Sequence, residues 1–239
     1  MTEVVHHPHR PTILCPLEFE RASLARSGLD ASCNLICCGL GGEGIISFAE
    51  KHPDQPGLII LAGLAGSLRP SNHIGDAFLI ATAISERGGR FHSAILPRAA
   101  SNEPLSLRKA NVMTVTEVVR SRSARIALAE KTGSDLVDLE SAPFAQAGTT
   151  LGWRWAIIRG VSDDLDTSLP VDVSKWVNAK GQTHYGQLLF SLLKRPWTIF
   201  QLPSLRKRSR AAMTAVASAI ETLLNELDEQ PSHNVDEPR

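Results

Sequence analysis

The sequence predicts a single α/β domain in three layers, a mixed, largely parallel β-sheet flanked by helices, and three observations carry that expectation. Short apolar runs alternate with helical patterns through the first two thirds of the chain, which is the signature of strands joined by crossover helices. Glycine or proline stops each helical pattern before the next apolar run. A chain of 239 residues with 43% hydrophobic content is large enough for one full-sized core.

In chain order the strand signals are 12–15, 35–38, 58–62, 77–83, 112–115, 134–137 and 155–158, each a short run rich in Ile, Leu, Val or Ala. Between them lie helical patterns at 17–26, stopped by Gly28, and 43–51, stopped before Pro53. Two more follow, 123–131 stopped by Gly133 and 140–151 stopped by Gly152. From Leu165 the texture changes: a loop with Pro170, an apolar segment at 188–193, Lys194-Arg195-Pro196-Trp197, and a last helix. That helix carries Met213, Val216, Ala217, Ile220, Leu223, Leu224 and Leu227 at helical spacing, so one of its faces is expected to be buried. The domain is expected to span 11–229, with 165–229 a divergent helical region and 1–10 and 230–239 as fraying tails.

Composition narrows the function classes. Lysine plus arginine equal aspartate plus glutamate at 25 each, so no overall field draws in a polyanion, and 5% aromatics leave few platforms for stacking bases. Nucleic acid is not an expected partner. Residues 1–10 lack an apolar core, and the longest apolar stretch, 58–65, is too short to span a bilayer and is broken by Gly63; a cytoplasmic protein is expected. Cys15, Cys33, Cys37 and Cys38 show no C-x-x-C spacing and read as buried, reduced thiols. His6, His7 and His9 occupy a Pro-broken tail with no acidic or cysteine partner, so neither a metal nor a cofactor is expected.

Gly39-Leu40-Gly41-Gly42-Glu43-Gly44 follows a strand and opens a helix, which satisfies the dinucleotide pattern G-x-G-x-x-G. A dinucleotide site also requires an acidic residue at the end of the next strand to hold the ribose, and 58–62 runs into Gly63 without one. The pattern therefore reads as a tight turn, and an NAD-dependent oxidoreductase is the rejected rival. Gly63-Leu64-Ala65-Gly66-Ser67 follows a strand end, where small residues let backbone N–H groups approach an anion or a sugar closely, and turn geometry alone would equally account for it. Glu18 and Glu20 stand in the first turn after the first strand, where a helix N-terminus favours negative charge.

Two acidic pieces carry most of the functional information: Asp138-Leu139-Glu140 and Arg159-Gly160-Val161-Ser162-Asp163, one helix apart and each at the end of a strand-like run. Brought together at one edge of a sheet, Glu140 would hold sugar hydroxyls while Asp163 gave a proton to a leaving base. Breaking a purine N-glycosidic bond builds positive charge on the sugar and negative charge on the base, so it needs an acid at the base and a carboxylate near the ribose.

Read in order, Glu18-Phe19-Glu20, Gly39-Leu40-Gly41, Gly63-Leu64-Ala65-Gly66 with Gly75-Asp76, Asp138-Leu139-Glu140 and Arg159-Gly160-Val161-Ser162-Asp163 resemble the purine nucleoside phosphorylase superfamily. The branch they look most like is 5'-methylthioadenosine/S-adenosylhomocysteine nucleosidase, over residues 12–166. The resemblance implies Asp163 as the acid that protonates purine N7, with Ser162 orienting it. It implies Glu140 on the ribose hydroxyls, Leu139 packed on the ribose and Val118 as a wall of the base site. Gly63, Leu64, Ala65 and Gly66 would border the nucleoside, and Glu20 would activate water in a hydrolase. To hold a proton near neutral pH, Asp163 would need burial or a neighbouring carboxylate such as Asp164.

If phosphate is the nucleophile, a cation must offset Glu20, and Arg21 beside it, Arg69 and Arg87 are candidates. Nucleosidases commonly carry a hydroxyl residue where Leu64 stands, which argues against simple hydrolysis, so hydrolysis and phosphorolysis both stay open. Gly181, the apolar segment, Lys194-Arg195-Pro196-Trp197 and Leu202-Pro203-Ser204-Leu205 are similar to the C-terminal region of hopanoid-associated phosphorylases, implying a 5'-lipid-substituted substrate such as adenosylhopane. Residues 173–220 contain no acidic residue and eight cations, Lys175, Lys180, Lys194, Arg195, Arg206, Lys207, Arg208 and Arg210. Such a face suits an anionic membrane surface or a solvated helix over an apolar lid. The family resemblance also implies a homo-oligomer, and a nucleoside-binding module without catalysis is the non-enzymatic alternative.

Overall fold

The structure, a computed structural model, describes residues 10–55, 57–95, 105–167 and 202–229. Among the described residues eight strands form one mixed sheet: β1 Thr12–Cys15, β2 Asn34–Cys37, β3 Leu58–Ser67, β4 Ala77–Ser85, β5 Arg90–His92, β6 Lys109–Thr114, β7 Leu136–Asp138 and β8 Arg154–Asp163. The helices are α1 Glu18–Arg26, α2 Gly41–Lys51, α3 Arg122–Thr132, α4 Ser141–Thr150 and α5 Leu202–Glu229. The apolar segment 188–193, the Lys194-Arg195-Pro196-Trp197 stretch, the four cations from Lys175 to Arg195 and both expected tails beyond Arg10 and Glu229 lie outside the described residues.

The sheet runs β2-β1-β3-β7-β6-β4-β5, and β8 pairs with both β3 and β4. Strands β3, β8, β4, β6 and β7 therefore close on themselves as a small barrel, with β1 and β2 extending from β3 as a parallel wing. The expected parallel pairing holds for β1–β2, β1–β3, β3–β8, β4–β6 and β6–β7. Closure requires two antiparallel seams, β3–β7 and β4–β8, and the β4–β5 hairpin adds a third. Strand β5 has no apolar run to announce it, since both Arg90 and His92 are exposed.

Apolar side chains on the two faces of the sheet make the layers. One cluster joins Ile13, Ile60, Ala156 and Ile158 to Leu24 of α1 and to Met213, Val216 and Ile220 of α5. The other joins Leu14, Ile59, Leu61 and Ile157 to Ile45 and Phe48 of α2 and Phe144 of α4. The last helix behaves as its periodicity predicts, its apolar stripe lying on the sheet. At Gly160 a side-chain carbon would stand 2.7 Å from the Ala212 carbonyl, so helix α5 packs on β8 at backbone contact distance.

Two strands run further than their apolar runs suggest. The segment Gly63 to Ser67 is not a turn: β3 continues through it, paired in register with β8, with a bulge between Ala65 and Gly66. Strand β8 likewise continues from Ile158 to Asp163. Glycine and alanine carry weak strand propensity on their own, but here two neighbouring strands supply the hydrogen bonds. The expected turn follows instead at Arg69–Asp76, where the Asn72 amide N–H lies 3.2 Å from the Arg69 carbonyl.

Candidate active site

The strand register builds the site. Pairing of β3 with β8 sets Gly63 beside Arg159 and Gly66 beside Asp163. The end of β7 comes alongside from the other direction, with Gly66 opposite Val137, which brings Asp138, Leu139 and Glu140 to the same place. Helix α1 starts two residues after β1 and delivers Glu20 from its first turn. Glu20, Glu140 and Asp163 thus meet at one cavity of about 300 Å³.

Glu20 is buried and holds two backbone N–H groups: Leu17 N to Oε2 at 2.8 Å and Leu64 N to Oε1 at 2.8 Å. Burial pushes its pKa up to about 7, opposed by the charge of Arg159 and by these two hydrogen bonds. Glu140 is also buried, and burial raises its pKa against the pull of Arg159, with Asp138 pushing in the same direction as burial. Its Oε1 accepts from the Gly41 N–H at 3.0 Å, in the first turn of α2. The G-x-G-x-x-G turn therefore presents its helix N-terminus to a carboxylate of the protein itself, and the tight-turn reading holds. Gly44 is there for packing, because a side-chain carbon would stand 1.9 Å from the Cys38 carbonyl oxygen.

Arg159 is fully buried and organises the acids around it. Its Nη2 lies 2.6 Å from Asp138 Oδ2 and 3.2 Å from Glu140 Oε2, and Nε donates to Ser141 Oγ at 3.2 Å. Asp138 is further held by Thr114 Oγ1 at 2.7 Å, the Ser141 N–H and the Ser141 hydroxyl. Over Gly63, Glu20 Oε1 and Arg159 Nη1 each come within 2.7 Å of where a side-chain carbon would stand, so only glycine admits both. Gly63 accordingly lies under these two groups and is not part of the cavity wall, whereas Leu64, Ala65 and Gly66 are.

At the other end of the cavity Asp163, 4% exposed, receives the Ser162 hydroxyl at Oδ1 (2.7 Å) and an Arg125 N–H at Oδ2. The expected neighbour, Asp164, turns away: its Oδ1 accepts from the Thr167 N–H at 2.9 Å and hydroxyl at 2.6 Å. The group beside Asp163 is a cation, Arg125, and not a second carboxylate. Gly66 lies under this pair as Gly63 lies under the first, with Asp163 Oδ2 2.9 Å and Arg125 Cζ 3.5 Å from the position of an added carbon.

Most of the remaining lining is apolar, Phe19, Leu40, Leu64, Val115, Val118, Val119, Val137 and Leu139 among it, and α5 contributes Leu205 and Ser209. Val118 and Leu139 both border the cavity. The three candidate phosphate cations do not. Arg21 is held by Glu18 through contacts of 2.5–3.0 Å on the outer side of α1, Arg69 pairs with Asp135 at 3.2 Å, and Arg87 is exposed in the β4–β5 turn. None of the three borders the cavity. Arg21 sits one residue from Glu20, and on a helix that turns it about 100° away.

Arg159, Asp138 and Arg125 are the residues that sequence reasoning passed over. Arg159 lay inside a motif already singled out, and its polar character at the end of an apolar strand was the available signal. Arg125 carried none, being one arginine in the basic helix pattern Arg122-Ser123-Ala124-Arg125. All four cysteines are free thiols, Cys15 and Cys33 buried and Cys37 and Cys38 partly so.

A family model described as the phosphorylase superfamily matches residues 3–194, and the chain belongs to that superfamily. No curated protein matches the chain in sequence. Among solved structures it is similar to the 5'-methylthioadenosine nucleosidase of Arabidopsis thaliana in its apo form, with TM-score 0.62 and 16% identity over 94% of this chain and 98% of that one. The 5'-methylthioadenosine/S-adenosylhomocysteine nucleosidase of Helicobacter pylori superposes with TM-score 0.65 at 11% identity, covering 92% of this chain and 100% of that one. Futalosine hydrolase of the same organism gives 0.64 at 11% identity over 92% and 98%.

Proposed function

We propose that this protein hydrolyses the N-glycosidic bond of a purine nucleoside, an adenine nucleoside in the first instance, and releases the free base. One observation supports this above the others: Glu20, Glu140 and Asp163, far apart in sequence, face one apolar cavity of nucleoside size. The base would lie against Val118 and Val119 with its N7 toward Asp163, the ribose over Leu139 with its hydroxyls toward Glu140, and the attacking water near Glu20. Several fold neighbours are named as nucleosidases or a hydrolase, and one, from Colwellia psychrerythraea, is described in complex with adenine.

Water is favoured over phosphate on charge. The cavity is bordered by four carboxylates, Glu20, Asp138, Glu140 and Asp163, and among the described residues its only bordering cation, Arg125, is committed to Asp163. Arg159 behind the wall is committed to Asp138 and Glu140. A phosphate dianion would meet uncompensated negative charge. Leu64 lacks the hydroxyl that could position water, but its backbone N–H orients Glu20, the group that would take the water proton. Incubating the protein with adenosines carrying 5'-apolar substituents is expected to release adenine and the free sugar at a rate that phosphate does not change. Sugar 1-phosphate as product, or a rate proportional to phosphate, would replace hydrolysis by phosphorolysis; no base under either condition would leave only a binding module.

An apolar 5' substituent, up to a lipid chain as in adenosylhopane, suits the cavity because its lining is mostly apolar, Pro16, Phe19 and Leu205 included. On α5, next to Leu205 and Ser209, stand Arg206, Lys207, Arg208 and Arg210, and the helix has no acidic residue before Glu221. Among the described residues none of these four lies within ion-pair distance of a carboxylate, though Arg208 donates to Ser204 Oγ and its charge reaches Asp164. At about 1 kcal/mol per well-placed cation they would hold the cavity mouth against an anionic bilayer. Retention on vesicles containing phosphatidylserine, and not on phosphatidylcholine alone, is the expected result; equal behaviour on both removes the membrane contact.

A further inference from the structure

Arg125 is 1% exposed, and all three of its guanidinium nitrogens are spent on the segment that carries Asp163 or on the wall beside it. Nε donates to the Val119 carbonyl at 2.9 Å, Nη1 to the Asp164 carbonyl at 3.0 Å and Nη2 to Asp163 Oδ2. The residue comes from the first turn of α3, where Ser121 caps the helix by accepting from the Ala124 N–H at 3.2 Å. A guanidinium is a rigid planar fork of obligate donors, so the oxygen it faces must accept, and the carbonyls it faces are fixed in place with it. Glycine at position 66 leaves the room for this pairing.

We propose that Arg125 is a positioning residue for base departure: by occupying Oδ2 of Asp163 it leaves Oδ1 as the one oxygen that can carry the proton delivered to the purine. This rests on the nucleosidase reading above. With Oδ1 protonated, the Ser162 hydroxyl, 2.7 Å away, can still donate to a remaining lone pair of that oxygen or turn to its other acceptor, the Ala65 carbonyl at 3.4 Å, and in neither case blocks the proton. Oδ1 is then free to donate to purine N7. As the C1'–N9 bond breaks, its electron pair passes to the purine, the Oδ1 proton moves to N7, water adds to C1', and the water proton passes to Glu20. The two carboxyl groups re-equilibrate through solvent, so one nucleoside and one water give one base and one sugar. The contact with the Val119 carbonyl ties the base wall to the acid, so that base and proton donor keep a fixed relation.

The test compares a purine nucleoside with its N7-methylated counterpart, whose base already carries the positive charge and leaves without a proton at N7. Arg125→Met is expected to lower kcat about 100-fold on the unmodified nucleoside, with KM little changed, and less than about threefold on the N7-methyl nucleoside, the same pattern as Asp163→Asn. Equal loss on both substrates would show a merely structural role and overturn the proposal, as would no loss on either. If Arg125→Met does not fold, Arg125→Lys, which keeps the charge and loses the fork, carries the same expectation at roughly tenfold, and an unaltered substrate ratio overturns it. Wild-type protein that releases base from neither substrate counts against the nucleosidase reading itself, whereas an active wild type with an unchanged ratio counts against Arg125 alone.

Discussion

Arg159→Leu should destabilise the protein by roughly 3–5 kcal/mol, the largest single-residue effect on stability expected here. The side chain is fully buried with Asp138 and Glu140 in direct contact and Glu20 within reach of its charge. Leucine fills the space but leaves those carboxylates without a counter-ion in a medium that solvates charge poorly. The sign with pH follows from the two acids whose ionisation is already disfavoured. Arg159 lowers the pKa of both Glu20 and Glu140 against burial, so its loss raises both further above their values in the unfolded chain. A group raised in the folded state gives stability that is present below its unfolded pKa and lost as pH rises through its folded pKa. The deficit should therefore be smaller at pH 5 than at pH 8, as read by urea unfolding at the two values. Adding Asp138→Asn should recover part of it at pH 8. A deficit independent of pH, or unmoved by the second substitution, would mean that Arg159 acts by packing and not by charge.

The parts of this protein that the sequence disclosed are those in which periodicity and function coincide. Helix α5 shows its buried face at every turn, and Glu140 and Asp163 stand out because carboxylates at the ends of apolar strands are costly to place without purpose. The continuation of β3 through Gly63-Leu64-Ala65-Gly66 was hidden for the opposite reason. Its residues were chosen for what they leave vacant, and a strand built to admit neighbouring side chains looks like a turn. Arg21 was misread because adjacency in sequence is not adjacency on a helix, and Arg125 passed unnoticed because its partner lies 38 positions away. Pairings of that kind depend on the barrel closing, and only strand register reveals them.

Glu20 should set the acid limb of the activity profile. Its pKa, pushed up to about 7 by burial, lies where a base is ionised often enough to act yet basic enough to take a proton from water. The expected kcat/KM for base release rises about tenfold per pH unit below 7, and Glu20→Gln should lower kcat by about 10²–10⁴ and abolish that limb. Stability should move the other way. Because the folded pKa is raised from 4.5 to about 7, the contribution of this group is complete below pH 4.5 and is lost as pH climbs through 7, a difference of about 3 kcal/mol at pH 8. Activity thus draws on the ionised form that the fold resists. Glu140 titrates in the same direction for the same reason, and Glu140→Gln separates the two. With Glu20 as base, Glu140→Gln weakens sugar binding and raises KM while the limb near pH 7 persists. Should the limb survive in Glu20→Gln and vanish in Glu140→Gln, the base is Glu140 and the water must be sought on its side of the ribose.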